Sequence, residues 1–321
     1  TQPGRDFMDH HRPALLTDPL FWPTGEQRDE VYVWNNFHSS KMYQAGVVCQ
    51  DCHNPHSGKL HAIDNALCLR CHAPAKFDLP AHTFHTTGSP GASCANCHMP
   101  YTTYMVVDER RDHSFQIPRP DVSEATGSPN ACIKCHKHKN NDWAMRAMDT
   151  WYGTDWRKRP TWAVRFDEAS KGNTASAAEL IRWAESKSTP SIVRATALSL
   201  MSRSVRPEMF TTAEKLLRDS SAMVRMEALS LLESLPAADR WRMANPLLSD
   251  PVKSVRLEAA NLLADIPLDQ VKGQDAQRLN RVITEYENSL LPHTDFPTNA
   301  SQLPTPPPTR PPSRLAARSR R

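Results

Sequence analysis

The chain contains no stretch of about twenty apolar residues, so no segment is expected to cross a bilayer as a helix. It has no cysteine before residue 49 or after residue 135, and only one of its 14 histidines lies beyond residue 138. Thiol and imidazole chemistry is therefore nearly absent from the second half. An excess of one charge is also missing. The net +4 is accounted for by Arg310, Arg314, Arg318, Arg320 and Arg321, all beyond the last acid, Asp295, so a general nucleic-acid surface is not expected. No apolar leader precedes Thr1, which reads as the start of a processed, exported chain.

What is present is concentrated. All eight cysteines fall in four Cys-X-X-Cys-His motifs: Cys49, Cys52 and His53; Cys68, Cys71 and His72; Cys94, Cys97 and His98; and Cys132, Cys135 and His136. Two thiols one helical turn apart can each form a thioether to a haem vinyl group, and the histidine that follows then ligates the iron. A structural zinc site needs a second pair of ligands and has no use for a histidine directly after the second cysteine. A disulfide across three residues would constrain almost nothing. The pattern predicts four covalently bound haem c groups, with His53, His72, His98 and His136 as proximal ligands. Residues 49 to 136 are too few to build an apolar core around each haem, so the porphyrins should be the core. Short helices and loops such as Gly88-Ser89-Pro90-Gly91 would wrap over them. Thioether attachment takes place outside the cytoplasm, which predicts a periplasmic or cell-surface location.

An iron that only transfers electrons takes a second axial ligand, whereas one that performs chemistry keeps a position open. His56, in Cys-His-Asn-Pro-His, is too close to His53 to reach around to the same iron and is expected at a neighbouring haem. His85 and His113 lie between motifs and are expected as distal ligands, with His82 the substitute for His85. At the Cys49–His53 haem the choice stays open between Met42 and His38, one turn apart on an expected helix, and a donor from elsewhere in the chain. A thioether would raise that haem's potential, while the plainer role of Met42 is packing. His61, His138, His10 and His11 are weaker candidates.

After the haem motifs come Trp143, Trp151, Trp156 and Trp162, expected to seal the last haem. Further on, three segments superpose at a shift of 31 residues: Val193–Arg194, Val224–Arg225 and Val255–Arg256, each followed by two small or apolar residues three and four positions later. Ser188, Asp219 and Asp250 stand five before each valine and suit a cap or turn. Two helices per repeat resemble short HEAT-type units, whose arginines would bridge successive repeats. The expected fold is mainly α: a loop-rich tetrahaem cytochrome c domain followed by an α-solenoid. The divisions are an N-terminal extension at 1–27, the tetrahaem domain with its Trp-rich segment at 28–165, HEAT-like repeats at 166–291 and an extended Pro/Arg-rich tail at 292–321.

The stretch Ala45–His56, Cys94-Ala95-Asn96-Cys97-His98-Met99-Pro100-Tyr101, Asp112–Phe115 and Asn130-Ala131-Cys132 resembles multihaem cytochromes c of the cytochrome c554, hydroxylamine oxidoreductase and pentahaem nitrite reductase superfamily. The resemblance covers about residues 28 to 165. It implies closely stacked haems, mostly with two histidine ligands, and distal roles for His56, His85 and His113. It also sets Met42 where the nitrite reductases offer an axial histidine. Those enzymes carry a catalytic haem on Cys-X-X-Cys-Lys, a sequence this chain lacks. The expected function is an electron carrier passing single electrons between redox partner proteins or subunits. It would dock by haem edges and repeats within a larger extracytoplasmic assembly. The alternative is an oxidoreductase acting on nitrite, hydroxylamine or a similar small nitrogen compound at one open haem.

Overall fold

A computed structural model describes residues 4–104, 106–267 and 270–290, and the Pro/Arg-rich tail lies outside the described residues. The protein is mainly helical, and its one named sheet among the described residues is a two-stranded hairpin. The described residues form two compact units, one within 14–196 and one of 4–13 together with those from 197 to 290; the division falls inside the helix Ser191–Ser202.

The unit of residues 14–196 opens on very short helices. Those that carry attachment motifs, Cys49–Cys52, Asp64–Cys68, Cys94–His98 and Ala131–Cys135, have four or five residues each. Proline sets the first turn of Pro74–Phe77, Pro80–Thr83 and Pro120–Thr126, where its missing N–H costs nothing. Helices this short are not stable from their own hydrogen bonds. Packing does not supply the deficit either: among the described residues between Phe37 and Ala144 the buried hydrophobic ones are only Ala92, Tyr104 and Val122. The hairpin pairs Tyr101–Tyr104 antiparallel with Asp108–Arg111, Tyr101 opposite Arg111. Conventional packing resumes at the twelve-residue helix Asn141–Tyr152. There the Asn140 side chain accepts the Trp143 N–H, and Trp156, Ala163 and Phe166 are buried nearby in sequence.

The other unit is a series of helices, Pro207–Leu216, Ala222–Ser230, Ala237–Ala244, Lys253–Leu262 and Gln274–Leu290. Val224, Ala228, Leu231, Leu232, Val255 and Ala259 are completely buried, so the 31-residue pattern marks the inner face of each repeat. The Arg225 guanidinium reaches Asp250 through two bonds of 2.7 and 2.8 Å while its Nη1 donates to the Asp219 carbonyl at 2.8 Å. Arg256, 31 residues on, donates in the same way to the Asp250 carbonyl at 2.8 Å and to Glu285 at 2.9 Å. Each arginine thus closes its own turn and reaches forward, Arg225 to the turn that precedes Lys253–Leu262 and Arg256 to the helix Gln274–Leu290. The first residues of the chain belong to this unit: Asp9 accepts the Lys253 N–H at 2.8 Å, and Arg12 lies 2.8 Å from Glu258 and 3.7 Å from Glu227. Burial pushes the Glu227 carboxyl up to about 7, against the pull of Arg12.

Candidate haem-binding site

The attachment motifs form a contiguous series. Arg70 donates to the Asp51 carbonyl at 2.7 Å, joining the second motif to the first. Asn65 donates to the Ala92 carbonyl at 3.0 Å and accepts the Cys94 N–H at 2.9 Å, joining the second to the third. The Lys134 ammonium donates to the Tyr101 carbonyl, tying the fourth to the hairpin that follows the third. All eight thiols are free. Burial raises the Cys52 thiol, with the Asp51 charge and the thiol of Cys71 adding to it. Burial likewise raises Cys68 to about 11, with neighbouring Cys94 adding to it, and raises Cys97 to about 11, with Cys132 and Cys135 adding to it.

At the second motif the thiols stay one turn apart, but the α-helix does not reach the second of them. The helix Asp64–Cys68 stops at the first cysteine, and Cys71 lies in the turn beyond it. There its N–H donates to the Cys68 carbonyl at 3.2 Å and the His72 N–H to the same carbonyl at 3.0 Å. The bond across three residues is the tightened ending common at a helix C-terminus. It keeps Cys71 one turn from Cys68, but on an exposed rim where Arg70 reaches out to the first motif. Cys49 and Cys135 are exposed as well, whereas the other five thiols are partly covered by the chain.

Three pairs of imidazoles stand opposed across gaps. The ring centres of His53 and His113 are 6.5 Å apart at an interplanar angle of 25°, those of His82 and His98 are 6.3 Å apart at 12°, and those of His85 and His136 are 6.1 Å apart at 35°. Two imidazoles on one iron each place nitrogen about 2 Å from the metal and a ring centre about 1.1 Å further out, a separation of ~6.2 Å. The pairs have that spacing, and each contains one motif histidine. The Nδ1 side is occupied in four of these rings. Gly58, Thr83, Gln116 and Arg111 carbonyls accept from Nδ1 of His53, His85, His98 and His113 at 3.0, 2.5, 2.8 and 2.9 Å. A carbonyl can only accept, so Nδ1 carries the proton and Nε2 is left for a metal. Burial lowers the pKa of His98 and His113, which favours the neutral, ligating form. No group of three or more His, Cys, Asp or Glu donors gathers at one point among the described residues, unlike the four-ligand set of a structural zinc. The opposed rings, the paired free thiols and the missing apolar core all fit haem.

His82 and His85 face different motifs although they are three residues apart and would share a face of any continuous helix. The helix Pro80–Thr83 ends at Phe84 in the left-handed conformation, φ +53°, which turns His85 away from His82. Such a backbone costs about 1–3 kcal/mol in a phenylalanine. Its ring is held stacked on Trp151 at 4.6 Å, while the Tyr152 hydroxyl donates to the His82 carbonyl at 2.6 Å. Trp143 lies 4.7 Å from His136. Gly91 leaves room for the His85 ring, since a Cβ there would be 2.1 Å from its Cδ2.

Other expected ligands lie differently. The ring opposite His53 is His113, returned by the hairpin, whereas Met42 sits half-buried in the helix Lys41–Gln44 with its carbonyl accepting the Val47 N–H. His38 is clamped between Trp34 at 3.6 Å and Tyr43 at 3.7 Å, and burial drives its pKa down to about 4. His56 is exposed, its N–H donating to Asn54 Oδ1 at 3.0 Å. His72 is exposed and meets Phe77 edge-on at 5.5 Å. His61 spends its Nε2 on the Gln50 carbonyl at 3.0 Å.

A polar cluster that sequence reading missed lies beside His113. Asp112 accepts from the Gln27 N–H at 2.8 Å, Asn36 Nδ2 at 3.2 Å, the Ser114 N–H at 2.8 Å and the Ser114 hydroxyl. Glu26, 7% exposed, accepts from the Thr24 hydroxyl at 2.9 Å. Burial first, then the neighbouring Asp112 charge, pushes Glu26 up to about 8. Between the ordinary carboxyl value and about 8 the folded chain keeps a proton that the unfolded chain releases. Stability therefore falls as pH rises through that window, by up to about 1.4 kcal/mol per unit, and levels off above it. Glu26→Gln removes this term, so thermal melts at about pH 6 and pH 9 are expected to differ less in the variant than in the native chain.

Residues 41–77, which include the first two motifs, match the family model for a doubled CXXCH motif. The chain is 25% identical over 117 residues to the multiheme cytochrome MtrA of Shewanella baltica (strain OS185), covering 35% of this chain. The alignment spans 30% of that relative's length. No solved structure matches the chain. The doubled motif and this similarity support a multihaem c-type cytochrome carrying covalently bound haem c.

Proposed function

We propose that this chain is a tetrahaem electron carrier in which Cys49 with Cys52, Cys68 with Cys71, Cys94 with Cys97 and Cys132 with Cys135 each hold one haem c. The observation that carries the reading is the set of opposed imidazole pairs at 6.1 to 6.5 Å. His53 with His113, His98 with His82 and His136 with His85 would be the axial ligands, so those three irons offer no open position for a substrate. His56 is the distal ligand assigned to the haem of His72. The haems supply reversible one-electron chemistry; the chain holds their ligands, fixes the proton of His53, His85, His98 and His113 on Nδ1 and keeps the motifs adjacent. Neither Met42 nor His38 is required in this scheme.

The carrier would work outside the cytoplasm, periplasmic or at the cell surface, as a subunit of a larger assembly. Residues 166–291 would form a HEAT-type solenoid that docks partner subunits, since Arg225 reaches forward to Asp250 and Arg256 to Glu285 as a solenoid's neighbour contacts do. No helix among the described residues is long and apolar enough to cross a membrane. The exposure of His72 favours one second reading, a small nitrogen compound reduced or oxidised at that haem.

Intact mass and haem staining of the exported protein, followed by a stepwise reductive titration, test the proposal. Four haems and four electrons per chain are expected. Fewer haems, or steady turnover of nitrite or hydroxylamine by the isolated chain, would contradict the carrier reading.

A further inference from the structure

The four motifs differ in the charge around them. Cys94–His98 has no charged residue between its cysteines, Cys49–His53 has Asp51, and Arg70 of Cys68–His72 is engaged with the Asp51 carbonyl. The fourth motif reads Cys-Ile-Lys-Cys-His-Lys-His-Lys, with no acid between Glu124 and Asp142. Lys137, His138, Lys139 and Arg146 are all exposed, as is Cys135. Lys137, Lys139 and Arg146 take part in no ion pair among the described residues. Lys134, by contrast, is committed to the Tyr101 carbonyl.

This cationic surface is coupled to the ligand set by direct contacts. The Lys139 N–H donates to the His136 carbonyl at 2.9 Å, its ammonium lies 6.0 Å from the centre of the Trp143 ring, and that ring is 4.7 Å from His136. An ammonium over an indole face is favourable, and it keeps Lys139 on the rim of the motif. Unpaired cations beside a motif with an exposed cysteine attract an oppositely charged protein and orient it toward that haem.

We propose that the face formed by Lys137, His138 and Lys139 is the docking surface for an acidic one-electron carrier protein, making the Cys132–His136 haem the place where electrons enter or leave the series. The proposal rests on the electron-carrier reading and adds to it the site and the charge of the partner. Anionic partners without a redox centre, nucleic acid among them, are excluded by it as the physiological occupant.

The test uses the full haem-loaded chain and stopped-flow reduction by a reduced flavodoxin, an acidic one-electron carrier, over a range of salt concentrations. A basic cytochrome serves as the opposite-charge probe and a small uncharged photoreductant as the control. At low salt, Lys137→Glu with Lys139→Glu is expected to slow reduction by flavodoxin roughly tenfold or more, the charge-neutral Lys137→Gln with Lys139→Gln by an intermediate factor, and high salt should erase both differences. The photoreductant should act on all three proteins alike. Equal flavodoxin rates in native chain and variants at low salt, or faster reduction by the basic probe than by flavodoxin, would overturn the proposal. So would a change confined to the haem potential, which would mean that the lysines serve only the chain's own propionates. Failure of the photoreductant to deliver one electron to each haem would instead refute the carrier reading itself.

Discussion

His82→Ala is expected to convert the Cys94–His98 haem to a high-spin form, and His85→Ala to do the same at Cys132–His136, each affecting roughly a quarter of the haem and leaving the other site low-spin. Two histidines three residues apart would ordinarily be taken as one functional position with a spare. The left-handed Phe84 between them separates the rings, one 6.3 Å from His98 and the other 6.1 Å from His136. Magnetic circular dichroism or resonance Raman spectra of the two variants distinguish the sites by their different neighbours, because Trp143 lies beside His136. Identical spectra from both variants, or no high-spin fraction in either, would contradict the pairing.

Gly91→Ala should have the next largest effect for so small a change. The added methyl would have to occupy space within 2.1 Å of the His85 ring, and that ring is already fixed through Nδ1 to the Thr83 carbonyl. Forced overpacking costs about 1–3 kcal/mol. The expected result is a lower melting temperature together with a weakened low-spin signal from the Cys132–His136 haem. A Ser89→Ala control keeps the backbone carbonyl that accepts the Ala92 N–H and should leave both readouts unchanged. A variant at Gly91 with native stability and spectrum would show that His85 does not occupy this position in the haem-loaded protein.

The attachment motifs were legible because their chemistry is local: thiol, thiol and imidazole within five residues. Their local structure was less so, since the second motif carries Cys71 past the end of its helix, where Arg70 is drawn toward the first motif. The inner valines and bridging arginines of the second half were legible because a 31-residue recurrence reports neighbour contacts directly. The imidazole pairings were harder. Which ring meets which motif depends on chain reversals, and those are set by the hairpin Tyr101–Arg111 and by one positive φ at Phe84, a residue type that gives no hint of it. Sequence proximity pointed to Met42 and His38 for the Cys49–His53 motif, beside a donor from elsewhere in the chain; in the structure the His38 ring stacks between Trp34 and Tyr43, and the ring 6.5 Å from His53 is that of His113, about sixty residues on. The buried Glu26 and Asp112 were invisible for the same reason, as 85 residues separate Gln27 from its bond to Asp112. Gly91 could have been noticed, since a second glycine so close to Gly88 exceeds what one turn requires.

The central claim, that three opposed imidazole pairs together with His56 close the four irons and leave the chain a carrier, is tested most directly by low-temperature electron paramagnetic resonance of the oxidised, haem-loaded protein. The account predicts low-spin signals alone, unchanged by added nitrite or cyanide. A high-spin signal that shifts when either ligand is added would contradict it.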